Sequence, residues 1–223
     1  MGDIAENLGR VRDRIRRAAM EAGRDPDEIG LVAVSKKKPA WMIKEAMEAG
    51  QLIFGENYAQ EFIAKDREIR EPVKWHFIGA LQRNKVKYIV DKVDIIHSVD
   101  RISLAEEIQK RANKAVKVLL EINLSGEESK AGTGEEDAFE FLAETGKLDK
   151  IEVCGLMTMP PFFDDPLRAR PYFRRLRELR DRLTRETGLE LRELSMGMSG
   201  DFEVAIEEGA TLVRVGTAIF GER

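Results

Sequence analysis

Three consecutive lysines, Lys36, Lys37 and Lys38, close the apolar run Leu31-Val32-Ala33-Val34-Ser35 and precede Pro39. If the run is a strand, alternation puts Val32, Val34 and Lys36 on one face and turns Lys37 the other way. Lys38 then sits beside the proline that opens the next helix. A lysine at a strand end that is partly withdrawn from water has a lowered pKa, and its free amine can attack an aldehyde to form a Schiff base. On this run alone, a solvated lysine cluster at a helix start is the stronger reading. Two later segments add weight to the chemical one. Ser195-Met196-Gly197-Met198-Ser199-Gly200-Asp201 supplies hydroxyls and backbone N–H groups ahead of the amphipathic residues Phe202, Ala205 and Ile206, an arrangement suited to a phosphate. Arg214-Val215-Gly216-Thr217 repeats the device, with Gly216 allowing close backbone approach and Thr217 offering an N–H and a hydroxyl. Each turn alone reads as an ordinary glycine-rich connection, whereas the two together make a phosphate cup.

These residues need a scaffold that brings them to one place. Ile4, Leu8, Val11, Ile15 and Ala18 recur at helical spacing before Gly23, which predicts an amphipathic N-terminal helix. After it, short apolar runs alternate with amphipathic stretches, with strands predicted to begin near Gly30, Gln51, Val73, Asp94, Val116, Ile151, Glu190 and Thr211. The first five starts are 21 or 22 residues apart, too regular for an open sheet with irregular insertions. The expected fold is therefore α/β, a (β/α)8 TIM barrel with an extra N-terminal helix, occupying residues 1–223 as one domain. In such barrels the chemistry sits at the C-terminal strand ends, and phosphate docks after strands seven and eight. The stretches from Leu124 to Gly134 and from Thr158 to Pro171 follow the fifth and sixth strands and are candidate lids.

Composition narrows the function. Thirty-seven Lys+Arg against 41 Asp+Glu give a net charge of −4, so no global basic field draws nucleic acid. The arginines from Arg168 to Arg185 form a locally basic face, but Phe173, Leu176, Leu179 and Leu183 recur at helical spacing among them, as on an outer barrel helix. No apolar run is long enough to span a membrane. The single cysteine, Cys154, cannot form an intramolecular disulfide, and no signal-like segment opens the chain, which predicts a cytoplasmic protein. No metal is expected: the only histidines are His76 and His97, and Cys154 lies inside an apolar run. Ser195 and Ser199 have no evident His or Asp partner, which argues against hydrolysis.

The blocks Ala33 to Lys36, Phe54 to Tyr58, Trp75 to Gly79, Leu81-Gln82 with Asn84-Lys85, Ser129-Lys130 with Gly132, Gly155 to Met157, Ser195 to Ser199 and Arg214 to Gly221 together resemble the pyridoxal-phosphate homeostasis family. Members of that family are similar to the N-terminal barrel of alanine racemase. The resemblance runs along nearly the whole chain, and it implies pyridoxal 5′-phosphate as cofactor and carriage or homeostasis of that cofactor rather than turnover. It assigns the Schiff base to Lys36, phosphate contacts to Ser199, Gly216 and Thr217, and the ring-facing arginine to Arg214. A guanidinium keeps its proton, so an arginine at the pyridine nitrogen leaves that nitrogen unprotonated and weakens the ring as an electron sink. Asn57 and His76, at strand ends, are expected to face the same mouth and contact the cofactor. Lys37 departs from the family's small hydroxyl residue and brings a second amine near the aldehyde. Lys130, on a glycine-rich mouth loop, is a candidate secondary transfer site. The expected partners are pyridoxal phosphate and apo-enzymes that use it, and the expected state is a monomer. The alternative is a racemase-like amino-acid enzyme. Racemisation needs acid/base groups on both faces of the substrate carbon, and the racemase resemblance places one of them on a second domain. A barrel binding a different phosphate ranks third.

Overall fold

The N-terminal helix α1 (Ile4–Glu21) starts at Asp3, whose carboxylate accepts the Ala5 N–H at 2.9 Å, and it buries Ile4, Leu8, Val11, Ile15 and Ala18, the stripe its spacing predicts. Gly23, with φ 68°, turns the chain away at its end. The computed structural model describes residues 3–127 and 131–222. Beyond α1 it alternates strand and helix: β1 (Gly30–Val34), α2 (Ala40–Glu48), β2 (Ile53–Glu56), α3 (Ala59–Glu68), β3 (Lys74–Phe77), α4 (Val86–Ile89), β4 (Ile95–Val99), α5 (Ile102–Arg111), β5 (Val116–Glu121), α6 (Ala138–Thr145), β6 (Ile151–Met157), α7 (Arg170–Thr187), β7 (Glu193–Ser195), α8 (Phe202–Glu207), β8 (Leu212–Val215) and α9 (Thr217–Phe220). All neighbouring strands are parallel, and β8 pairs back onto β1 to close an eight-stranded barrel. The predicted strand starts fall within three residues of the observed ones, and three of them, Gly30, Val116 and Ile151, coincide.

Two cores result from this closure. The larger lies between sheet and helices and takes the outward strand residues, such as Phe54, Phe77 and Val213, with the helix stripes. The smaller fills the barrel itself with Val32, Leu119, Met157 and Leu212, supported by Ile53, Ile95 and Cys154. Burial pushes the Cys154 thiol up to about 12, which keeps it protonated and unreactive. At β6 the pairing register with β5 slips between Val118 and Leu119. There Gly155 runs so close to β7 that a Cβ would stand 2.0 Å from the Glu193 carbonyl oxygen, so only glycine fits.

Most arginines of α7 face solvent while pairing with carboxylates of the same fold. Arg170, Arg174 and Arg177 converge on Glu208, while Arg175 and Arg182 share Glu135. Among the described residues no helix is long and apolar enough to cross a membrane, and no group of acidic, His or Cys side chains is arranged to hold a metal ion.

Candidate functional site

The three lysines after β1 separate into three roles. Lys36 is half-buried at the barrel mouth. Lys37 is exposed and takes a left-handed backbone, φ 58°, unusual for a residue with a side chain. Its N–H donates to Glu61 Oε2 at 2.7 Å. Lys38 turns to the end of α9, where its Nζ donates to the carbonyls of Phe220, Gly221 and Glu222 at 2.8–3.0 Å. The solvated-cluster reading thus fits Lys37 alone. Beneath the turn, Lys65 on α3 donates from Nζ to the Ser35 carbonyl at 2.7 Å and to Glu56 Oε1 at 2.6 Å, and Ser35 Oγ donates to the same carboxylate oxygen at 2.6 Å. Burial lifts Glu56 above the ordinary carboxylate range even beside Lys65.

Strand closure delivers the second group of residues. β1 and β8 pair with Ala33 opposite Val215, so Val34 lies level with Gly216 and the Lys36 turn stands beside Thr217. The packing is close: a Cβ on Gly216 would come within 3.3 Å of the Val34 Cβ and carbonyl oxygen. Gly216 N–H donates to Ser199 Oγ at 3.3 Å, which draws the turn after β7 onto the turn after β8. Ser199, Gly216, Thr217 and Lys36 therefore share one side of the mouth. Asn57 follows β2 and lines a cleft of about 480 Å³ with Tyr58, Phe77, Gly79 and Gln82 at the same end of the barrel. Its Oδ1 is buried without a hydrogen-bond partner in the protein, an acceptor awaiting a donor.

Arg214 is buried on the inner face of β8. Its Nη1 donates to Ser195 Oγ and its Nη2 to the Thr158 carbonyl at 3.0 Å. Burial lowers its pKa to about 10, partly offset by Glu121 and Asp201, so it remains a cation at neutral pH. Glu121, at the inner end of β5, is pushed up to about 7 by burial and by Asp100, against the pull of Arg214.

His76 is not where the strand-end reading put it. It is the third residue of a four-residue strand, so it points into the barrel, is buried, and lines a cleft of about 410 Å³ at the opposite, N-terminal mouth, with Lys74, Asp94 and Lys117. His76 Nδ1 lies 2.9 Å from His97 Nε2, and His97 Nδ1 lies 2.9 Å from Ser195 Oγ. Ser195 thus has the histidine partner that the sequence hid. A signal for it was available: His76, His97, Ser195 and Arg214 are each the third residue of their strands and share the inward phase. The expectation for Lys130 lies outside the described residues.

Fold and site together define an alanine-racemase-type barrel, and residues 7–223 match the family model "Alanine racemase, N-terminal domain". The chain belongs to the pyridoxal phosphate homeostasis protein family. It is 51% identical to the pyridoxal phosphate homeostasis protein of Aquifex aeolicus, covering 99% of each chain, and 42% identical to that of Escherichia coli, covering 100% of this chain and 98% of the relative. The structure of PipY from Synechococcus elongatus with PLP bound superposes at a TM-score of 0.87, with 37% identity over 98% of this chain and 100% of that one. Alanine racemase from Corynebacterium glutamicum shares the fold alone, at 19% identity and a TM-score of 0.70, and this chain covers 61% of its length.

Proposed function

We propose that the protein binds pyridoxal 5′-phosphate at the C-terminal mouth of the barrel, held as a Schiff base on Lys36, and that it serves intracellular homeostasis or carriage of that cofactor. The observation that carries the reading is the closure of β8 onto β1, which sets the Lys36 turn beside the Ser199, Gly216 and Thr217 turns, with Arg214 buried inside the barrel. The donor set fits the group: one half-buried amine, small residues and hydroxyls where a phosphate would lie, and a buried cation with donors to spare for a ring nitrogen. PipY, 37% identical and solved with PLP bound, supports the same assignment. When bound, the cofactor supplies an electrophilic aldehyde. The protein's part is to present one amine to it, hold its phosphate at the turns after β7 and β8, and keep Arg214 a fixed, protonated donor. Asn57 Oδ1 is placed to accept from the cofactor or from a side chain that orders around it. His76, at the other mouth, is removed from direct contact.

Action in the cytoplasm as a monomer, with apo-enzymes as recipients, completes the proposal. The absence of a disulfide partner for Cys154 is in keeping with a reducing compartment. The test is the visible spectrum after incubation with pyridoxal phosphate, followed by borohydride reduction and peptide mapping. The expected result is a new absorbance band and a label on Lys36, both lost in Lys36→Ala. A label scattered over surface lysines would overturn the assignment.

A further inference from the structure

The barrel interior holds a line of four hydrogen-bonded polar groups, with the Glu121 carboxyl also buried near Arg214. Ser195 and His97 are fully buried, and His76 and Arg214 nearly so. Arg214 Nη1 reaches Ser195 Oγ on the next strand, and Ser195 Oγ reaches across the barrel to His97 Nδ1 at 2.9 Å. His97 Nε2 reaches His76 Nδ1 at 2.9 Å. The far side of His76 borders the cleft at the lower mouth.

One placement of the protons satisfies every group in the line. A guanidinium only donates, so Ser195 Oγ accepts from Arg214. The serine's one proton then turns away from the cation toward His97 Nδ1. Neutral His97 therefore carries its proton on Nε2 and gives it to His76 Nδ1, and neutral His76 carries its own on Nε2, toward the lower cleft. The reverse order would leave the Ser195 hydroxyl proton without an acceptor and point the His97 N–H dipole at a buried cation. Burial disfavours the charged form of both rings. In this order every link has one donor and one acceptor.

The geometry points to Ser195, His97 and His76 as positioning residues: a proton-ordered column that fixes the direction of Arg214 and couples the cofactor end of the barrel to its lower mouth. That coupling rests on the proposed site, because it acts on whatever Arg214 faces. With Nη1 and Nη2 each engaged on a fixed oxygen, the guanidinium plane is set, and its remaining N–H groups are aimed by residues that never touch the ligand.

Two readouts test it. In the ligand-free protein at pH 7, ¹⁵N imidazole NMR is expected to show His97 and His76 neutral, with a pyridine-like Nδ1 and a pyrrole-like Nε2 in each. The opposite tautomers, or a cationic His97, would overturn the proton order. With pyridoxal phosphate added, Ser195→Ala and His97→Phe are expected to shift the absorbance maximum of the Lys36 adduct and to weaken cofactor binding about tenfold. His97→Gln, which offers an acceptor and donors along the same line, is expected to recover most of both. If His97→Phe does not fold, His76→Phe, with the lower cleft beside it, makes the same test. Maxima and affinities unchanged in the Ser195 and His variants, with Lys36 still labelled, would overturn the column. Wild-type protein that takes up no pyridoxal phosphate would instead overturn the reading of the site, and the tautomers would still decide the proton order.

Discussion

Two cations among the described residues, Lys65 and Arg214, are buried, and they are treated in opposite ways. Lys65, outside the sheet, meets the Glu56 carboxylate at 2.6 Å and has Glu61 at 3.5 Å, so its charge is compensated on the spot. Arg214, inside the sheet, touches a hydroxyl and a carbonyl, and the carboxylates that stabilise it, Glu121 and Asp201, act through space without bonding it directly. A compensated cation holds architecture together. One solvated by neutral dipoles keeps its field and its spare donors for something that arrives. The difference separates a structural charge from a functional one more sharply than burial, which the two share.

The largest expected effect tests the structural side. Lys65→Met leaves Glu56 buried with an uncompensated carboxylate, and an unfolding free energy lower by about 3–5 kcal/mol is expected in denaturant titration. Glu56→Leu combined with Lys65→Met should restore most of it. A single variant as stable as wild type would dissolve the contrast. Next comes the pH dependence of Glu121. Its carboxyl is raised from 4.5 to about 7 in the fold, so the folded state binds that proton more tightly. The associated stability is full below pH 4.5 and is lost as pH rises through 7. Glu121→Gln is therefore expected to exceed wild type at pH 8 by up to about 3 kcal/mol, and to match it near pH 4.5. A difference that does not change with pH would mean that Glu121 is ionised and compensates Arg214 as Glu56 compensates Lys65. The smallest expected effect on folding belongs to Arg214→Met. Losing two hydrogen bonds is offset by relief of a buried charge, so Tm should move by only about 2–4 °C, while pyridoxal phosphate binding, followed by absorbance, weakens about thirtyfold. A large drop in Tm with unchanged binding in the folded variant would reverse the two roles.

The scaffold was readable because it rests on local pattern. The regular spacing of β1 to β5, the stripe of α1 and the two glycine-rich turns after β7 and β8 are all short-range signals. The relation between elements was not readable. Strand alternation singles out Lys36 among three adjacent lysines, but nothing local shows that α9 takes Lys38 or that Glu61 on α3 fixes the Lys37 backbone. His76 was misplaced because strand β3 ends after Phe77, which leaves the histidine one layer below the mouth, where its inward phase points it at His97. Ser195 was denied a partner because that partner comes from β4, 98 residues away in sequence.

The turn that carries Lys36 is pinned at each neighbouring residue. Ser35 N–H donates to Gly55 O, Lys37 N–H to Glu61, and Lys38 N–H to Ser35 O, while Lys65 holds the Ser35 carbonyl from below. An amine tethered to so rigid a base samples a small volume of space. Holding one reactant in place turns a bimolecular encounter into an effectively unimolecular one. A free lysine and a free aldehyde meet as dilute solutes; in the proposed complex an aldehyde whose phosphate is seated would face an amine that has already given up most of its translational freedom. If the proposed Schiff base forms on Lys36, the left-handed backbone at Lys37, unfavourable for any residue with a Cβ, is part of what holds its base in place.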